Sequence, residues 1–130
     1  MSATPEVNNP EALAELTAAF EAYERALVGN DIGSLNRMFW ESPLTLRYGT
    51  RADELLRSHA EIAEFRRARG AIDQRRTLRN TRIVTFGDDF GVANTEYVPA
   101  GSDRIGRQSQ TWMRTADGWK IVCAHVSFGV

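Results

Sequence analysis

The chain has 130 residues, with sixteen basic residues against seventeen acidic for a net charge of −1, which suits one domain of ordinary size and is too short for two cores and a linker. Apolar residues at 42% and charged residues at 25% sit near globular averages, which excludes a disordered chain, and the uncharged apolar-rich stretch Ile121 to Val130 is far short of a bilayer span. Without an overall basic excess, neither nucleic acid nor a membrane is an expected partner.

Residues 1–8 are polar and unpatterned and read as a flexible tail before a single domain over 9–130. The first six lack the basic and apolar regions of a signal peptide, so a cytoplasmic location is expected. Asn9-Pro10-Glu11 supplies a cap, a proline at the first helical position and an acid in the first turn. Leu13, Leu16, Phe20, Tyr23 and Leu27 then recur at helical steps until Gly29-Asn30. A second short helix is predicted from Asp31 to about Met38. Trp40 to Tyr48 alternates at Leu44, Leu46 and Tyr48 and predicts a first, edge strand ended by Gly49. Ser58 caps a third helix whose inner side is Ile62, Phe65 and Ala68, closed by Gly70. Four strands follow, Thr77–Phe86, Phe90–Val98, Arg104–Thr115 and Trp119–Phe128, separated by Gly-Asp-Asp, Pro-Ala-Gly-Ser-Asp and Ala-Asp-Gly turns.

This order has no βαβ alternation and predicts an α+β fold, a curved antiparallel sheet with the N-terminal helices on its concave face. A two-residue loop near Asp117 pairs even-numbered residues of one strand with odd-numbered residues of the next. By that parity Trp119, Ile121, Cys123, His125 and Ser127 share the packed face with Trp112, Gln110 and Gln108. The face changes from apolar to hydrogen-bonding along its length, which predicts a pocket at its polar end. The opposite face carries Lys120, Val122, Ala124 and Val126, and its apolar run suggests a homodimer through the sheet.

Basic residues divide into fifteen Arg and one Lys, Lys120. A carboxylate-binding pocket therefore has many candidate guanidiniums, while the one amine falls on the outward face. Tyr23 on the first helix is either a core tyrosine or a proton donor in the pocket. Arg47 is either a solvent-facing strand residue or, if the strand curls over the pocket, a clamp for a substrate carboxylate. His125 and Ser127 lack a carboxylate orienter, so substrate hydrogen bonding suits them better than Ser-His hydrolysis. The other histidine, His59, starts a helix; no pair has metal-ligand spacing, and neither metal nor cofactor is expected. The series Arg66, Arg67, Arg69, Arg75, Arg76, Arg79 and Arg82 reads mainly as a solvated face.

The element order, the closing Gly118-Trp119-Lys120-Ile121-Val122 and the terminal Ala124-His125-Val126-Ser127 resemble the nuclear transport factor 2-like superfamily, the cone-shaped fold that includes SnoaL-like cyclases and ketosteroid isomerases. Phe39-Trp40-Glu41-Ser42-Pro43-Leu44-Thr45-Leu46-Arg47-Tyr48-Gly49 and Gly106-Arg107-Gln108-Ser109-Gln110-Thr111-Trp112 resemble its AtzH-like branch, which includes the HpxZ proteins of oxalurate catabolism. The resemblance runs from about Glu11 to the end. It implies a cofactor-free enzyme of ureide catabolism acting beside an amidase-signature hydrolase on a small anionic urea or amide, of the type that converts 1,3-dicarboxyurea to allophanate. A non-catalytic accessory or product-binding partner of such an amidase is the alternative. Tyr23 and Arg47 match the implied catalytic pair; Gln108, Gln110, His125 and Ser127 are then candidates for the urea core and a second carboxylate, and Trp40 for a wall of the pocket.

Overall fold

In a computed structural model that describes residues 4–129, helix α1 (Pro10–Val28) begins where the Asn9 side chain accepts the free amides of Glu11 and Ala12 at 3.0 and 3.3 Å. Its buried stripe is Ala12, Leu16, Phe20, Tyr23, Ala26 and Leu27. Asp31 caps the short α2 (Ile32–Met38) and Ser58 caps α3 (His59–Arg69), which ends at Gly70 with φ +70°. Strands β1 (Leu46–Tyr48), β2 (Leu55–Leu56), β3 (Arg76–Phe86), β4 (Phe90–Pro99), β5 (Gly106–Thr115) and β6 (Gly118–Phe128) form one curved, unclosed sheet in the order β2-β1-β6-β5-β4-β3. No helix of the described residues is long and apolar enough to cross a membrane.

Several local expectations are corrected. Residues 6–8 are not a loose tail: Val7 bridges Phe86, Asn8 and Thr85 exchange two 3.0 Å hydrogen bonds, and the Gly87 N–H donates to the Glu6 carbonyl. Backbone groups at the end of β3 need partners, and this segment supplies them; residues 1–3 of the expected tail lie outside the described residues. The first strand is only three residues long, because a turn at Ser42-Pro43-Leu44 separates it from the bridge between Phe39 and Ile121. It runs parallel to β6 and lies inside the sheet, while the two-residue β2, too short to show a pattern, forms the edge. In α3, Ala68 is exposed and Arg66 is buried instead.

The largest correction concerns β6. From the turn to Trp112 opposite Ile121, the hairpin pairs even with odd as expected, but Thr111 then pairs with Cys123. Val122 is the extra residue of a β-bulge, and the parity beyond it is reversed. Ala124, Val126 and Phe128 therefore share the inner face with Gln110, Gln108 and Gly106, and Cys123, His125 and Ser127 turn outward. The outer face consequently lacks the apolar run of Ala124 and Val126 from which a sheet-mediated dimer was expected.

The core lies between α1 and the inner face, where Leu16, Phe20, Leu35, Phe39, Ile62, Ala93, Trp112 and Ile121 are buried. It closes one end of the concavity and leaves the other to Gln108, Tyr97 and Arg76. Close approach of α1 to β4 depends on Gly91, where an added Cβ would sit 2.3 Å from Leu16 Cδ2 and 2.9 Å from the Val84 carbonyl oxygen. Gly91→Ala is expected to lower stability by about 1–3 kcal/mol in urea unfolding. The loss should shrink in a Leu16→Ala background, because the two sites share one space; equal losses in both backgrounds would refute the clash.

Candidate functional site

A cavity of ≈ 320 Å³ occupies the open end of the sheet, at the small end of the range for small-molecule sites. Every layer contributes to its lining: Tyr23 and Leu27 from α1, Arg47 from β1, Arg66 and Arg69 from α3, Arg76 from β3, Tyr97 and Pro99 from β4, Gln108 from β5, and Val126 and Phe128 from β6. The Tyr23 ring is 4% exposed and is wedged between Phe39, with centroids 6.2 Å apart, and the edge-on Trp112 at 6.4 Å. Tyr23 lines the cavity, and its hydroxyl lies beside Arg66. Arg47 pairs in register with Ala124, an inner-face residue, so the parallel pairing of β1 on β6 turns the guanidinium inward.

The charge of the lining is unbalanced. Arg76 is held bidentately by Glu24, at 2.9 and 2.7 Å, and Arg75 by Asp73, at 2.9 and 2.8 Å. Arg47 meets Glu54 at 3.7 Å, a loose pair beyond hydrogen-bond length. Glu54 reaches that position by lying across Gly49, where its carboxylate fills the space of a Cβ. Arg66 and Arg69 meet no carboxylate among the described residues. Arg66 is 4% exposed, its guanidinium 4.9 Å from the Phe39 centroid and its Nη1 donating to Asn36 Oδ1 at 3.4 Å. Burial pushes its pKa down, the Tyr23 hydroxyl beside it favours the charged form, and Arg47 and Arg69 push it down further. Arg69 is also lowered, by burial first and then by Arg47, and its buried Nε has no hydrogen-bond partner among the described residues. A guanidinium stays charged at neutral pH. Three cations facing one loosely held carboxylate make a site that favours an anion.

The structure brings Tyr23, Arg47 and Gln108 to this cavity and leaves the other expected residues elsewhere. Gln110 is buried below it, its Oε1 accepting the Trp112 indole N–H at 3.1 Å. His125 and Ser127 do not line this cavity, because the bulge turns them outward, and the His125 ring stacks edge-on against Tyr48 at 5.7 Å. Trp40 does not wall this cavity. Phe39 takes the inward position, the Trp40 N–H binds the Ile121 carbonyl, and the Trp40 side chain lines a separate depression with Lys120 and His59. Arg66, Arg69 and Arg76 belong to the site although the sequence placed them on a solvated face. The signal for Arg66 and Arg69 is the α3 period: Ile62, Phe65, Arg66 and Arg69 follow steps of three and four, so two arginines occupy positions where a core helix carries apolar residues.

A helix-backed curved sheet with a one-ended polar pocket defines the nuclear transport factor 2-like fold. An NTF2-like protein of unknown function from Pseudomonas putida superposes with a TM-score of 0.74 over 90% of this chain and 86% of that one, at 14% identity. The AtzH-like family model matches residues 5–129, and the chain belongs to the AtzH-like family. It is similar to a protein of unknown function of the DUF3225 family from Pectobacterium atrosepticum, at 48% identity and a TM-score of 0.91 over 95% of each chain. A cystatin-like fold protein from Burkholderia xenovorans is 44% identical, with a TM-score of 0.88 over 95% of this chain and 96% of that one. No curated protein matches.

A buried guanidinium that meets no carboxylate among the described residues costs stability. Millimolar malonate is expected to raise the Tm of the unmodified protein, and Arg66→Met is expected to abolish that rise while raising the urea-unfolding free energy by about 1 kcal/mol. His125→Ala and Ser127→Ala are expected to leave the malonate-dependent Tm rise unchanged. An unaltered malonate response in Arg66→Met would dissociate that residue from anion binding.

Proposed function

We propose that the cavity binds a small carboxylated urea or amide and removes one of its N-carboxyl groups as CO2, as in the conversion of 1,3-dicarboxyurea to allophanate. The reading rests on one observation above the others: Tyr23, beside Arg66, lines a cavity in which Arg47, Arg66 and Arg69 form, among the described residues, a single loose carboxylate pair, Arg47 with Glu54. Membership of the AtzH-like family supports it, since the resemblance carries this substrate class and the pairing of Tyr23 with Arg47.

The step balances without a cofactor. The bond between nitrogen and the departing carboxyl carbon breaks, its electron pair remains on nitrogen, and CO2 leaves. The nitrogen then takes the Tyr23 hydroxyl proton, and the phenolate recovers a proton from water. Because the departing carboxylate loses its charge, a cation gripping it would stabilise the ground state more than the transition state. The guanidiniums therefore serve best on the carboxylate that the product retains, where Arg47 offers a planar fork. Arg66, beside the tyrosine, stabilises the phenolate at the moment it forms. In this reading the product passes to an amidase-signature hydrolase.

Tyr23→Phe is expected to keep its fold and to lose about 10²-fold or more in CO2 release from 1,3-dicarboxyurea at fixed pH, the usual size of a proton-transfer contribution. Arg47→Ala should show a comparable loss, mainly as a raised KM. Wild-type rates in both variants would defeat the assignment.

A further inference from the structure

Gln108 is 3% exposed on the inner face of β5 and lines the cavity. Its Oε1 accepts from Arg76 Nη2 at 2.9 Å, while its buried Nε2 has no hydrogen-bond partner among the described residues. The orientation of the amide is fixed by its neighbour. Arg76 has only donors to offer, so a flipped amide would set NH2 against guanidinium. Arg76 is itself immobilised, its Nε and Nη2 on the two Glu24 oxygens and its guanidinium 4.6 Å from the Tyr97 centroid. Glu24 thus does two things: it holds Arg76 in place and it neutralises a cation that would otherwise compete for the ligand's carboxylate.

An uncharged buried donor without a partner costs stability unless a ligand supplies the acceptor. Such a donor suits a neutral carbonyl oxygen, whereas the guanidiniums across the cavity suit a carboxylate. We infer that Glu24, Arg76 and Gln108 form a polarity filter in which the Gln108 Nε2–H donates to the uncharged carbonyl of the substrate, with Arg76 and Glu24 as positioning residues. This rests on the carboxylated-urea reading and deepens it: the site selects a carboxylate joined to a carbonyl over a carboxylate joined to an alkyl group.

Two nearly isosteric stable anions test the filter. Malonamate carries both a carboxylate and an amide carbonyl, and isovalerate replaces the amide by two methyl groups. In NMR titrations the unmodified protein is expected to prefer malonamate by about tenfold, with the Gln108 side-chain NH2 signal shifting for malonamate only. Gln108→Glu keeps the bond to Arg76 but turns the donor into an acceptor, and it should bring the preference to unity or below. Gln108→Met gives the same readout should the glutamate variant not fold. Glu24→Gln releases the Arg76 charge, so isovalerate should bind more tightly while the preference shrinks; a merely structural role for Glu24 predicts that both anions weaken together, which would overturn its positioning role. An unchanged preference in the folded Gln108 variant would overturn the filter while leaving the anion pocket standing. Failure of the unmodified protein to bind either anion would overturn the carboxylated-urea reading and the filter with it.

Discussion

The single extra residue at Val122 decides what the cavity contains. In a strand pair, every side chain beyond a bulge changes face, and here the change falls between the apolar end of the sheet, Trp112 against Ile121, and its open end. Val126 and Phe128 line the cavity as a result, and Ala124 joins the core beneath it. The effect propagates to the neighbouring strand, because β1 runs parallel to β6 with Leu46 opposite Cys123 and Arg47 opposite Ala124. Arg47 is inside because Ala124 is inside. Without the bulge the same pairing would set Arg47 on the outer face, and the cavity would lose one of its inward guanidiniums.

The second determinant is the cost of keeping cations out of water. Arg66 is buried against Phe39 with a long hydrogen bond to Asn36 and Tyr23 beside it, and the buried Arg69 Nε has no partner among the described residues. Aromatic faces compensate in part, since Phe65 lies 5.9 Å from Arg47 and 5.5 Å from Arg69. They do not replace a carboxylate. The open end is therefore less stable than the aromatic end that closes the core, and an anion that enters offsets part of that deficit. Arginine suits this task better than lysine, because a delocalised guanidinium is less strongly hydrated and stacks on rings. The fifteen-to-one ratio of Arg to Lys has a structural counterpart at four inward positions.

Sequence periodicity carried the helices and the four long strands, because those elements are long and their caps and turns are local chemistry. Asn9, Asp31 and Ser58 each cap the helix they were expected to start. Parity along β5 was equally legible, and Gln108, Gln110 and Trp112 point inward as alternation requires. What the chain did not reveal is non-local. A bulge leaves no mark on the sequence when the inserted residue is a valine between Ile121 and Cys123, so alternation alone puts His125 and Ser127 on the wrong face. Two-residue β2 exists only because β1 is there to pair with it. Arg66 and Arg69 looked solvated because they sit in a run of arginines, although their spacing from Ile62 placed them on the buried side of α3.

The bulge and the buried arginines meet at one end of the sheet, and together they explain why the cavity there is lined by charge. Towards the hairpin tip, α1 and α2 cover the sheet with Leu16, Phe20 and Leu35, and the inner residues opposite them are Gly91, Ala93, Trp112 and Ile121. The fit is tight enough that Gly91 has no room for a methyl group. Beyond Tyr23 the covering element changes from α1 to the C-terminal half of α3, which presents guanidiniums instead of aliphatic chains. A concave sheet with a short, arginine-bearing helix over its open end cannot close as a dry core, because the charges need counter-ions. It remains a cavity shaped by Gln108, Arg76 and Tyr97 on one side and by Arg47, Arg66 and Arg69 on the other, with Tyr23 at the boundary between the packed aromatics and that space.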